Sequence, residues 1–320
     1  MVGSLEQEVE RLVERQLGEW PEAAARYAAL DTCAMRLLDV DRSTVVLQYN
    51  PGRQRSAAAP VAPDQLAQRP CFLCSANQPR EQQAVLWQDR YKLQVNPFPI
   101  FDRHLTITDL HHTPQRLDVQ RLIDMIDLAD ALPKWQLFFN GAQCGASAPD
   151  HFHFQATSRE VMPIGAEIAT PTSWVDPVML ARHDDGSVTA THIGRRPCII
   201  ATATTKTLLQ YYFGRILLAL VEGTGQADPM LNALCWVDDR RGTVVVIARR
   251  RHRPACYGTG VGQMLLSPGA TEMGGWWAIA REQDYHALTA EQVSALYDEL
   301  CVDDDTFDRI IDSFTKQTND

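Results

Sequence analysis

Apolar positions change their period several times along this chain, and the changes outline its elements. Across 4–38, Leu5, Val9, Leu12, Val13, Leu17 and Trp20 recur at helical spacing between charged residues, and Pro21 interrupts before an Ala-rich stretch. Residues 1–43 therefore read as an N-terminal helical arm. From Thr44 the period drops to two: Val45, Leu47 and Tyr49 alternate with Val46, Gln48 and Asn50, and the run stops at Asn50-Pro51-Gly52. Residues 57–69 read as a surface loop. Strands are predicted at 91–95 and 104–107, a helix over 116–131, and strands at 135–139 and 151–156 on either side of a Gly- and Ala-rich loop. A second half begins near Met162, with a strand at 198–202, a long apolar helix at 206–223 and a hairpin joining 233–237 to 244–248 around residues 238–242. Another strand near 276–280 and two short helices follow. Short strands with interspersed helices give an α+β fold rather than a doubly wound parallel sheet. The expected organisation is the arm, a half at 44–161 and a half at 162–320, without sequence repetition between the halves.

Composition narrows the function classes. The chain has 320 residues, 30 basic and 40 acidic, for a formal charge of −10. That balance supplies no dense basic stripe for nucleic acid, although a local anion site fits within it. No apolar run approaches the ~20 residues that span a bilayer, and the charged start lacks the apolar core of a signal segment. Eight cysteines spread over the chain suit a reducing compartment, so a cytoplasmic location is expected. A homodimer is left open.

The candidate chemistry lies in one stretch, from Phe139 to Gln155. It holds Asn140-Gly141, the small-residue loop Gly145-Ala146-Ser147, and His151-Phe152-His153-Phe154-Gln155. In a strand, His151, His153 and Gln155 share one face while Phe152 and Phe154 enter a core. Three polar groups on one face are costly to bury without partners. Small residues in the loop let backbone N–H groups approach an anion. Upstream, Cys71-Phe72-Leu73-Cys74 is the chain's one close pair of cysteines. Cys144 lies inside the small-residue loop, with no basic group fixed beside it to make it a nucleophile.

Taken together, Asn140-Gly141, Gly145-Ala146-Ser147 and His151-x-His153-x-Gln155 resemble the signature of the histidine-triad (HIT)-like nucleotidyltransferases. That branch includes galactose-1-phosphate uridylyltransferase, diadenosine tetraphosphate phosphorylase and the GDP-hexose phosphorylases. The resemblance implies a HIT-like mixed or antiparallel sheet with flanking helices, in two fused halves. It also implies transfer of a nucleoside monophosphate through a covalent histidine intermediate, because hydrolases of the superfamily usually carry a third histidine where this chain has Gln155. By the same resemblance His153 is the nucleophile, Gln155 contacts a phosphate oxygen, and Ser147 with the Gly145 and Ala146 backbone stabilises charge. Cys71, Cys74, His112 and His151 fall in the order of the uridylyltransferase's zinc ligands, which makes a structural zinc the expected cofactor. His111 competes with His112 for the third position; His112 stands where the family's ligand begins the following loop.

Arg53 and Arg55, just past a strand end, suit bidentate phosphate binding. Asn96 lies in a segment like the one bordering the nucleotide base. Arg251, in the run Arg249-Arg250-Arg251-His252-Arg253, is an expected contact for the acceptor. Expected substrates are a nucleotide sugar or a dinucleoside polyphosphate, with phosphate or a sugar phosphate as acceptor. Phe152 between the histidines, and the absence of closely spaced histidines in the second half, depart from the uridylyltransferase and bring the phosphorylases level with it. A nucleotide hydrolase and a non-catalytic, zinc-stabilised nucleotide-binding protein are the alternatives.

Overall fold

The computed structural model describes residues 4–238 and 241–317. Its strands are β1 (Ala34–Val40), β2 (Ser43–Tyr49), β3 (Val85–Trp87), β4 (Tyr91–Val95), β5 (His104–Asp109), β6 (Trp135–Asn140) and β7 (His153–Ser158). They continue as β8 (Trp174–His183), β9 (Gly186–Ile193), β10 (Arg196–Ala203), β11 (Leu231–Asp238), β12 (Arg241–Ala248) and β13 (Trp276–Ile279). Ten of them form one antiparallel sheet in the order β3-β4-β5-β7-β6-β11-β12-β10-β9-β8. The order reads the same from both edges inward. In each half three strands in succession precede a helix (Val119–Ala131 or Lys206–Thr224), and two more strands complete the set in reversed spatial order. The halves meet where β6 pairs β11, with Asn140 opposite Asn232.

Both faces of this sheet are buried at its centre, which is why β12 reads as a continuous apolar run. Val244 and Val246 enter one core with Leu122, Phe213, Phe307 and Ile310 from the helices; Val245 and Ile247 enter a second core with Leu47, Trp277 and Tyr297. The second core carries a three-stranded sheet, β1-β2-β13, in which β13 runs parallel to β2 with Trp277 opposite Leu47. The long helices have the ends their sequences call for. Ser4 and Asp118 cap N-termini by accepting from Gln7 and Arg121 N–H groups, and Gly225, at φ +69°, closes Lys206–Thr224 in a left-handed turn.

Several expectations are corrected. The N-terminal α-helices end at Ala28; residues 34–38, read as helix, lie in the exposed edge strand β1. The loop at 57–69 contains the short helix Pro63–Gln68. The β8–β9 hairpin was not expected, because β8 is an edge strand with two register shifts and a largely exposed surface that erases its alternation. Three helices, Glu282–Ala287, Ala290–Leu300 and Asp304–Lys316, follow β13 instead of two. The β11–β12 hairpin forms as expected, with its turn residues 239–240 outside the described residues.

Candidate active site and metal cluster

Strand β7 starts at His153 and not at 151, so alternation puts His153 and Gln155 on one face and leaves His151 in the preceding turn. The His151 side chain turns the other way. Its Nδ1 lies 3.3 Å from Cys71 Sγ and 3.5 Å from Cys74 Sγ, while Cys74 Sγ lies 3.2 Å from His112 Nδ1. The four ligand atoms of Cys71, Cys74, His112 and His151 all fall within 4.8 Å of one another, a cluster that could hold a metal ion. His151 Nε2 is 2.9 Å from the Asp109 carbonyl, so that nitrogen carries the proton and Nδ1 offers its lone pair to the cluster. His111 is outside it, with its backbone N–H donating to the Asp109 carboxylate. Buried Lys92 ties the cysteine loop to β4, donating to the Leu73 carbonyl, Ser75 and Gln78.

His151 also acts on its neighbour. Its carbonyl lies 2.8 Å from His153 Nδ1. A carbonyl only accepts, so His153 Nδ1 bears the proton and Nε2 keeps a free lone pair. Burial pulls the His153 ring down to about 4, which keeps it neutral and nucleophilic at neutral pH. Gln115, which the sequence did not single out, holds the backbone here. Its Oε1 accepts from His153 N–H at 2.8 Å, and its Nε2 donates to the Asn140 and His153 carbonyls at 2.9 Å each.

Gln155 is oriented by another unanticipated residue. Ile100 N–H donates to His104 Nδ1 at 3.2 Å, so the His104 proton sits on Nε2 and is donated to Gln155 Oε1 at 2.9 Å. The Gln155 amide nitrogen, with two donors, is left for the cleft. Burial, then the Arg53 charge, pushes His104 down to about 3, so this arrangement holds across the neutral range. A signal did exist: His104, Thr106 and Thr108 alternate with Leu105 and Ile107, and Thr106 and Thr108 pair with Gln155 and His153.

These groups open onto a cleft of about 500 Å³ between the halves. His153, Gln155, Ser147 and Gly145 line it, as do Asn140 and Asn96. Arg53 and Arg55 also line it; Arg53 donates to the Phe98 carbonyl at 3.1 Å and the Arg55 guanidinium stands 5.5 Å from the Phe98 ring. Across the cleft, Glu272 anchors the turn at Gly269 and Thr271, and burial raises its pKa while the Arg53 charge opposes the rise. Ala146, within the loop, is buried. Arg251 is not in the cleft. It is exposed and ion-paired with Glu299, because the chain leaves β12 before it and turns outward. Cys144 is wholly buried, and burial lifts its thiol to about 12.

The yeast Ap4A phosphorylase Apa2 in complex with AMP superimposes with a TM-score of 0.58 at 14% identity, over 89% of this chain and 96% of that one. The chain has a HIT-like fold. The same yeast enzyme in complex with Ap4A gives 0.55 at 15% identity, over 88% and 97%. A uridylyltransferase mutant is similar at 12% identity over 78% and 94%, with a TM-score of 0.42. Residues 12–158 match a family model described as a domain of unknown function, DUF4922. No curated protein sequence matches the chain. Among the described residues no helix is long and apolar enough to cross a membrane.

Proposed function

We propose that this chain transfers a nucleoside monophosphate from a dinucleoside polyphosphate or nucleotide sugar to phosphate or a sugar phosphate, through a nucleotidyl-His153 intermediate. The observation that carries the reading is the tautomer of His153: Nδ1–H is committed to the His151 carbonyl, and Nε2 is unprotonated at the wall of the cleft. Nε2 attacks the α-phosphorus, the P–N bond forms, and the bond to the leaving phosphate oxygen breaks with its electron pair. The ring gains positive charge, which the His151 carbonyl stabilises through Nδ1–H. An acceptor phosphate oxygen then attacks phosphorus and the P–N bond breaks, returning neutral imidazole. Two displacements give ping-pong kinetics.

Gln155 donates to a phosphate oxygen and cannot act as a base toward water, which favours an acceptor over hydrolysis. Ser147 and the backbone at Gly145 face the same charge, and Arg53 and Arg55 neutralise the rest of the phosphate chain. The fold likeness to a phosphorylase whose structures hold AMP and Ap4A supports a nucleotide donor. For the metal we propose zinc: two thiolates and two imidazoles match its usual donors, and the four ligand atoms lie within 4.8 Å of one another. Its part is to fix the turn that carries His151. The mirrored strand order supports halves at 44–161 and 162–320, although β13 crosses that division to pair with β2.

The test is incubation with diadenosine tetraphosphate or a nucleotide sugar in the absence of acceptor. One nucleoside monophosphate should appear on the peptide containing His153 and be discharged by phosphate. Turnover of His153→Ala at the wild-type rate would end the proposal.

A further inference from the structure

Arg249 closes β12's exit and is almost wholly buried. Its guanidinium bonds Asn232 Oδ1 and the Pro268 carbonyl through Nη1, the Leu300 carbonyl through Nε and the Arg251 carbonyl through Nη2. All its partners are neutral, and among the described residues no carboxylate forms an ion pair with it. A buried cation without a counter-ion is costly, and this one stands behind the small-residue loop of the cleft. Asn232 Nδ2 donates to the Cys144 carbonyl at 2.9 Å and to Asn140 Oδ1 at 3.0 Å; Asn140 Oδ1 also accepts from Ala270 N–H. Gly145, at φ +92°, abuts Gly269 so closely that an added Cβ would lie 2.4 Å from its Cα. Two loops, one from each half, are thus locked together around Asn232 and Arg249.

We infer that the buried charge of Arg249, relayed through Asn232 to the Gly145–Ser147 loop, raises that loop's affinity for a phosphoryl group. The second half thereby supplies the positive charge, and the bound phosphoryl group is its missing counter-ion. The Arg249 field also acts to lower the Cys144 thiol pKa, against the larger effect of burial, so it reaches the loop. This inference rests on the proposed nucleotide site and names an electrostatic contributor to it that makes no contact with substrate.

The test is equilibrium binding of AMP and of inorganic phosphate to the full chain, compared among wild type, Arg249→Lys and Arg249→Met. Charge is the active property, so the Lys variant should bind AMP within about threefold of wild type and the Met variant about tenfold more weakly. Equal weakening in both variants would mean that only the hydrogen-bonded fork matters and would overturn the inference. Unchanged binding in the Met variant would overturn it too. If the Met variant does not fold, the Lys variant decides: a tenfold loss there, with wild-type metal content, refutes the electrostatic role. Wild-type protein that binds neither probe refutes the nucleotide site itself, a separate and recognisable outcome.

Discussion

The carbonyl of His151 accepts from Nδ1 of His153 at 2.8 Å while the His151 ring joins the Cys71, Cys74 and His112 cluster that could hold a metal ion. One residue therefore ties the two sites together: its side chain lies in the cluster and its backbone sets the tautomer of His153, the proposed nucleophile. Loss of metal should disturb the second through the first.

Cys71→Ser and His112→Ala should each bring metal content from about one ion per chain to near zero, whereas His111→Ala should leave it unchanged. Elemental analysis of protein prepared without chelator checks all three. Because a structural metal contributes folding free energy directly, the Cys71→Ser protein should lose several kcal/mol in denaturant titration, more than it loses from the chemical step. Retention of metal by His112→Ala would reject the ligand set.

His104→Phe removes the donor that orients Gln155 and leaves the Ile100 N–H without its partner. Stability should fall by about 1–3 kcal/mol for the orphaned group. In single-turnover mixing, adduct formation should slow by about tenfold while the ping-pong pattern persists. An unchanged adduct rate would show that Gln155 orients itself.

The acid dependence of stability has a definite sign. His104 titrates at about 3 in the folded chain, against about 6.5 when unfolded, so below pH 6.5 the unfolded state takes up a proton that the folded state refuses. The folded state is penalised increasingly as pH falls from 6.5 toward 3, by about 2 kcal/mol at pH 5 from this group. Urea midpoints at pH 7.5 and 5 should diverge more for wild type than for His104→Phe. Identical differences would place the proton uptake elsewhere.

Arg251 and Arg53 make a contrasting pair. Arg251→Ala breaks an exposed pair with Glu299 and should alter stability by less than about 1 kcal/mol, with donor KM within twofold of wild type. Arg53→Ala, at the cleft, should raise donor KM by about tenfold or more. Steady-state kinetics with the donor varied separates the two, and a large effect at Arg251 would contradict its placement.

Legibility in the sequence followed burial. Where a strand had two distinct faces, as in β2 and β7, the alternation located it and marked His153 with Gln155. Where an edge strand was exposed, as in β1 and β8, there was no pattern to find. Ligand order together with the resemblance was enough to assemble Cys71, Cys74, His112 and His151, since a metal cluster depends on residue type and chain order. Gln115 and Arg249 were out of reach for the opposite reason: their partners are mostly backbone atoms, which leave no mark on residue identity. Arg251 was chosen from a run of arginines in which only the fold decides which one turns inward.

The parallel pairing of β13 with β2 sets Trp277 beside Leu47, and the short helix Ala270–Met273 just before β13 supplies Glu272 to the cleft. A nascent chain thus exposes His153 well before the opposite wall has been synthesised. The cleft is complete only when distant parts of the chain have met.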